Sequence, residues 1–168
     1  HRDSRRPHLE HNHTDLGSTT IRDGTEVIDI EHYAPFFLNA VGSAWQRMTS
    51  AIYRREFGFG ISEWRVMSML NIEPGITAVR ICEVLRLDKG AVSRSLQNLE
   101  QSGLVRYEAS PTDIRKRWWT LSDEGRTVHA RVLRIALACE RQMMARVTQE
   151  DKAVFLKVMK QMLDNLSD

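Results

Sequence analysis

Two short stretches hold the residues best suited to chemistry. Lys89, Gly90, Ser93, Arg94 and Gln97 recur at helical spacing, so on a helix they share one face. Arg and Gln match guanine and adenine edges in a major groove, Ser reaches a base or a phosphate, and Gly admits a backbone at close range. The second stretch runs Asp113, Ile114, Arg115, Lys116, Arg117, with three cations in a row. An arginine at an exposed tip suits a narrow minor groove. Each set also describes an ordinary solvated surface, so the order of the surrounding elements has to decide.

No assembled nucleophile and base accompanies them. The sequence has no HExxH, Walker A loop or GxSxG elbow, and an enzyme is not expected. Cys82 and Cys139 are too few for a disulfide framework, and without a CxxC they offer no zinc ribbon. His8, His11 and His13 could meet a metal only weakly, so neither metal nor cofactor is expected. The net charge of +2 over 168 residues says little by itself. Its distribution says more: from Arg86 to Arg117 seven Lys or Arg face four acids, a surplus of three that exceeds the chain's total. An apolar fraction of 42% supplies a core. No apolar run approaches the ~20 residues of a membrane helix, and the charged first thirty residues resemble no signal peptide, so a cytoplasmic protein is expected.

The apolar positions define what must carry these residues. Phe37, Val41, Trp45, Met48 and Ile52 step by three or four, the period of a helix. Ser62 is the expected cap of a second helix that buries Val66, Met67 and Leu70 and stops at Pro74 and Gly75. Thr77 opens a third, with Ile81, Val84 and Leu85 inward. Asp88 opens a fourth, whose inward Val92, Leu96 and Leu99 turn Lys89, Ser93, Arg94 and Gln97 outward before Gly103 ends it. Leu104 to Glu108 and Arg117 to Leu121 then read as a hairpin, with Trp118 and Trp119 on opposite faces. Ser122 caps a long helix, and a last one carries Phe155, Val158, Met159, Met162 and Leu166. Helix, turn, helix and hairpin is the plan of a winged helix-turn-helix, a mainly α fold with a small β wing.

At this level the chain resembles the MarR family of bacterial transcriptional regulators. The likeness rests on Leu99-Glu100-Gln101-Ser102-Gly103-Leu104-Val105, on Asp113-x-Arg115, and on Leu121-Ser122-x-x-Gly125, and the flanking helices match in number and order. The resemblance implies a homodimer joined by its first and last helices and part of the fifth, binding pseudo-palindromic double-stranded DNA. It makes Arg115 the wing-tip arginine and Asp113 its anchor, with Ile114 standing where the family often has Arg. It also implies a repressor released by a small aromatic or phenolic acid in a cleft lined by helices one, two and five. Candidates there are Trp45, Met48, Trp64 and Met67 as walls and His32, Arg47, Arg65 and His129 as carboxylate partners, although each apolar one reads equally well as core. The expected organisation is a flexible arm over 1–30, a helical dimerisation region over 31–57 and 123–168, and a DNA-binding domain over 58–122. The alternative is a winged-helix module that binds proteins and not DNA.

Overall fold

The computed structural model describes residues 17–167. Two strands come first, β1 (Thr19–Arg22) and β2 (Thr25–Ile28), followed by a short 3-10 turn at Ile30–His32. Six helices and a second strand pair follow: α1 (Ala34–Phe57), α2 (Ile61–Ile72), α3 (Ala78–Leu85), α4 (Lys89–Gln101), β3 (Val105–Ala109), β4 (Arg117–Leu121), α5 (Asp123–Met143) and α6 (Gln149–Leu166). The arrangement is the mainly α fold with an antiparallel hairpin expected from the periodicity.

The chain divides into two compact units, one ending at Ala44 and the other beginning at Trp45. The division between these units falls inside α1, and Thr49 and Tyr53, on its later turns, are buried in the second unit. In that unit one core gathers Val66, Met67, Met69 and Leu70 of α2, Ile81 of α3, Val92, Leu96 and Leu99 of α4, and Leu104, Val105, Trp119 and Leu121 around the hairpin. Burial of this many large apolar side chains, each worth about 1.5–3 kcal/mol, is what fixes α3 and α4 against each other. Val84, expected inward, is 41% exposed, since on so short a helix Ile81 takes the buried position and Leu85 the half-buried one.

Caps set where the functional helices begin. The Arg80 backbone N–H donates to Thr77 Oγ1 at 3.3 Å, and the Ala91 N–H to Asp88 Oδ1 at 2.8 Å. The expected Ser62 cap is replaced one turn edge earlier: α2 starts at Ile61 after Gly60, whose N–H donates to Glu63 Oε2 at 3.1 Å. Glu63 thus supplies the carboxylate half of a capping box and also accepts from Asn98 Nδ2 at 3.1 Å, tying α2 to α4. At the far end of α4, Gly103 takes φ +74° while Leu104 N–H reaches the Leu99 carbonyl at 2.9 Å, a Schellman stop that turns the chain into β3.

The segment expected as a flexible arm contains the β1–β2 hairpin, with Thr20 paired to Val27 and Ile21 to Glu26. Its cause is the Asp23-Gly24 turn, in which both residues hold positive φ, 50° and 76°, as a two-residue hairpin loop requires. His8, His11 and His13 lie outside the described residues. Among the described residues no helix is long and apolar enough to cross a membrane, and no three His, Cys, Asp or Glu side chains are gathered as a metal site.

Candidate nucleic-acid interface

Helix α4 is amphipathic: Val92, Leu96 and Leu99 sink into the core with Ser95 buried beside them, and Lys89, Ser93, Arg94 and Gln97 face out. Lys89, Ser93 and Gln97, four apart, form one outward row. Against that row stands the β3–β4 hairpin, whose strands pair from Val105 with Leu121 to Ala109 with Arg117. The hairpin cannot swing freely, because Trp119 is built into the core and its backbone is stitched to the start of α3. Its N–H donates to the Ile76 carbonyl at 2.8 Å, and its own carbonyl accepts from Gly75 at 2.9 Å.

The two elements enclose an open groove of about 580 Å³. Lys89, Ser93 and Gln97 line it from the helix and Arg115, Lys116 and Arg117 from the wing, so two sets separated in sequence meet in space. Thr77, Ala78 and Val79 of α3 and Glu100 of α4 complete it, and sequence reading missed them as lining. The signal was available for Val79, an apolar residue off the buried face of α3 and 60% exposed. Gly90 and Arg94 are placed beside this groove and not in it. A Cβ at Gly90 would lie 3.1 Å from Arg94 Nη1 and 3.2 Å from Asp88 Oδ1, so the guanidinium folds back over the first turn of α4.

The wing tip is organised by its own polar side chains. Ser110 Oγ accepts from the N–H groups of Thr112 and Asp113, each at 3.3 Å, and Asp113 Oδ1 accepts from Arg115 N–H at 3.0 Å. Asp113 is therefore a turn anchor, with its carboxylate 3.9 Å from Arg115 Nε. The Arg115 side chain is 92% exposed, and Ile114 beside it 86%. Arg117 is held differently, its guanidinium carbon 4.2 Å from the centroid of Tyr107.

The candidates for an effector cleft separate more widely. Trp64 and His129 meet with ring centroids 5.2 Å apart, and Tyr53, which sequence reading did not single out, has its ring centroid 6.3 Å from that of Trp64. Counting by fours from Trp45 through Thr49 reaches Tyr53, and that row was the available signal. Burial holds the His129 imidazole below its ordinary pKa and pushes the Tyr53 phenol up. Trp45, Met48 and Arg65 are half-buried and Arg47 is exposed. Met67 is fully buried in the core, where it packs against its neighbours and offers no wall to a cleft. His32 belongs to the first unit, where its Nδ1 pairs with Asp29 Oδ2 at 2.8 Å.

A helix pair with a hairpin clamped beside its second helix is a winged helix-turn-helix. Residues 57–116, which hold all of that motif up to the wing tip, match the MarR family model. The transcriptional regulator HosA of Escherichia coli O111:H- is 28% identical over 102 residues, covering 61% of this chain and 76% of that protein. The fold is shared with PcaV of Streptomyces coelicolor, solved with its natural ligand (TM-score 0.73, 20% identity, 84% of this chain and 99% of that one). It is shared also with FabT of Streptococcus pneumoniae, solved with DNA (TM-score 0.67, 22% identity, 80% of this chain and 97% of that one). Over its winged helix-turn-helix segment this chain is thus similar to the MarR family of transcriptional regulators.

Proposed function

We propose that the chain is a homodimeric, sequence-specific DNA-binding repressor. The observation that carries the reading is the groove in which Lys89, Ser93 and Gln97 face Arg115, Lys116 and Arg117. Gln97 presents a bidentate donor and acceptor suited to adenine in the major groove, with Ser93 beside it. Gly90 and Arg94 flank the first turn of α4, where helix N–H groups favour a phosphate. Arg115, on its rigid tip, enters the neighbouring minor groove, and Lys116 and Arg117 meet backbone phosphates. FabT, solved with DNA, has the same fold.

Dimerisation supplies the second reading head. No residue of α6 is buried, and Val154, Phe155, Leu156, Val158 and Leu163 are each more than 40% exposed. An apolar surface of that extent calls for a partner, and a second copy would set two recognition helices about 34 Å apart on a pseudo-palindrome. Repression follows from occupying such a site. The effector is a small aromatic or phenolic acid received near Trp64 and His129, with Trp45 and Met48 as walls and Arg47 or Arg65 as carboxylate partner. PcaV, which has the same fold, was solved with its natural ligand, and this supports the reading. Release is a population shift, the acid favouring a dimer whose heads are wrongly spaced.

The test is a binding titration on the DNA beside the protein's own gene and on a random duplex, repeated over a salt series. Gln97→Ala is expected to lose about 1–3 kcal/mol of discrimination between the two. Arg115→Ala is expected to weaken both alike and to make the salt slope shallower by about one per lost phosphate contact. Absent or salt-insensitive binding by the parent would overturn the reading and favour a protein-interaction module.

A further inference from the structure

Among the described residues of the first unit, 17 to 44, every one is exposed or half-buried. Among them β1 and β2 form a two-stranded sheet. A two-stranded hairpin is marginal in water by itself. Yet this one carries a well-specified turn at Asp23-Gly24, which fixes its register. The register places Ile21, opposite Glu26, and Ile28, opposite Thr19, on one face of the hairpin. They are 67% and 53% exposed, and Ile30 and then Phe36, Phe37, Leu38 and Val41 on the first turns of α1 are exposed apolar residues too.

We infer that β1–β2 is an arm of the dimer interface, laid by its Ile21 and Ile28 face on the partner subunit. This rests on the homodimer reading and extends it to a segment outside the dimerisation helices. Charge selects the occupant. Residues 17–33 contain one cation, Arg22, against Asp23, Glu26, Asp29 and Glu31, which repels a phosphate backbone. Within the same unit the hairpin leads instead into α1, a helix that the homodimer reading assigns to the interface.

Hydrogen exchange on the full parent chain, at a dilution series spanning dimer dissociation, tests the arm without any substitution. Amides of Thr25–Ile28 are expected to gain protection as dimer forms. In sedimentation, Ile21→Asp with Ile28→Asp is expected to weaken the dimer by on the order of 10- to 100-fold, circular dichroism remaining helical. A parent that is monomeric at every concentration removes the homodimer reading itself. A parent that dimerises, loses its dimer on Phe155→Asp, but shows concentration-independent exchange in the hairpin leaves that reading standing and overturns the arm. Protection that appears only on adding duplex DNA also overturns it, assigning the hairpin to DNA.

Discussion

His129 sits 6% exposed on α5 against the Trp64 ring, and burial holds its imidazole below the ordinary histidine pKa. The unfolded chain, with an ordinary histidine value near ~6.5, takes up a proton that the folded chain resists. Its contribution is therefore fully present above that value and is lost as pH falls from it toward the lower folded value. The melting temperature is expected to drop between pH 7.5 and pH 5.5, and His129→Phe to flatten that drop. Parent and variant changing equally would place the pH dependence elsewhere. Ile114 belongs to the same scale. It is 86% exposed beside Arg115, whose side chain is 92% exposed.

The elements were legible wherever one buried face imposed a period. The three apolar residues of α4 and the caps at Thr77, Asp88 and Ser122 lay where spacing placed them, and with them the outward row of Lys89, Ser93 and Gln97. What remained hidden depended on more than one element. The folding back of Arg94 reflects its neighbours Asp88 and Gly90, and Thr77 to Val79 line the groove only because the wing closes over them. The first hairpin was missed although Asp23-Gly24 announced it, since its strands have no core face to show alternation. The join between wing and α5 is an element-level constraint with its own test. A Cβ on Gly125 would overlap the Leu104 carbonyl, whose carbon lies 2.9 Å away, while Gly125 N–H donates to Ser122 Oγ at 2.9 Å. Gly125→Ala, favourable for helix propensity alone, is expected to lower stability by roughly 1–3 kcal/mol in a urea titration. An unchanged or raised midpoint would show that α5 can move off the hairpin at no cost.

For the whole molecule, charge is concentrated and not abundant. A net +2 with a surplus of three between Arg86 and Arg117 leaves the remaining surface near neutral. Random duplex should therefore be held by few phosphates, with a salt slope shallower than on the operator by at least about two, at roughly 0.9 per phosphate. Equal slopes on both would mean that cations outside the groove take part.

The stitch between Ile76 and Trp119 also governs time. Both reading elements lie in the stretch of chain between those two residues, which makes α3, α4 and the wing a single loop closed by backbone bonds. Such a loop pays its closure entropy once, when the long-range pairing forms, and its parts then gain or lose structure together. Helix α4 is thus tied into one cooperative loop by a pairing it does not itself make.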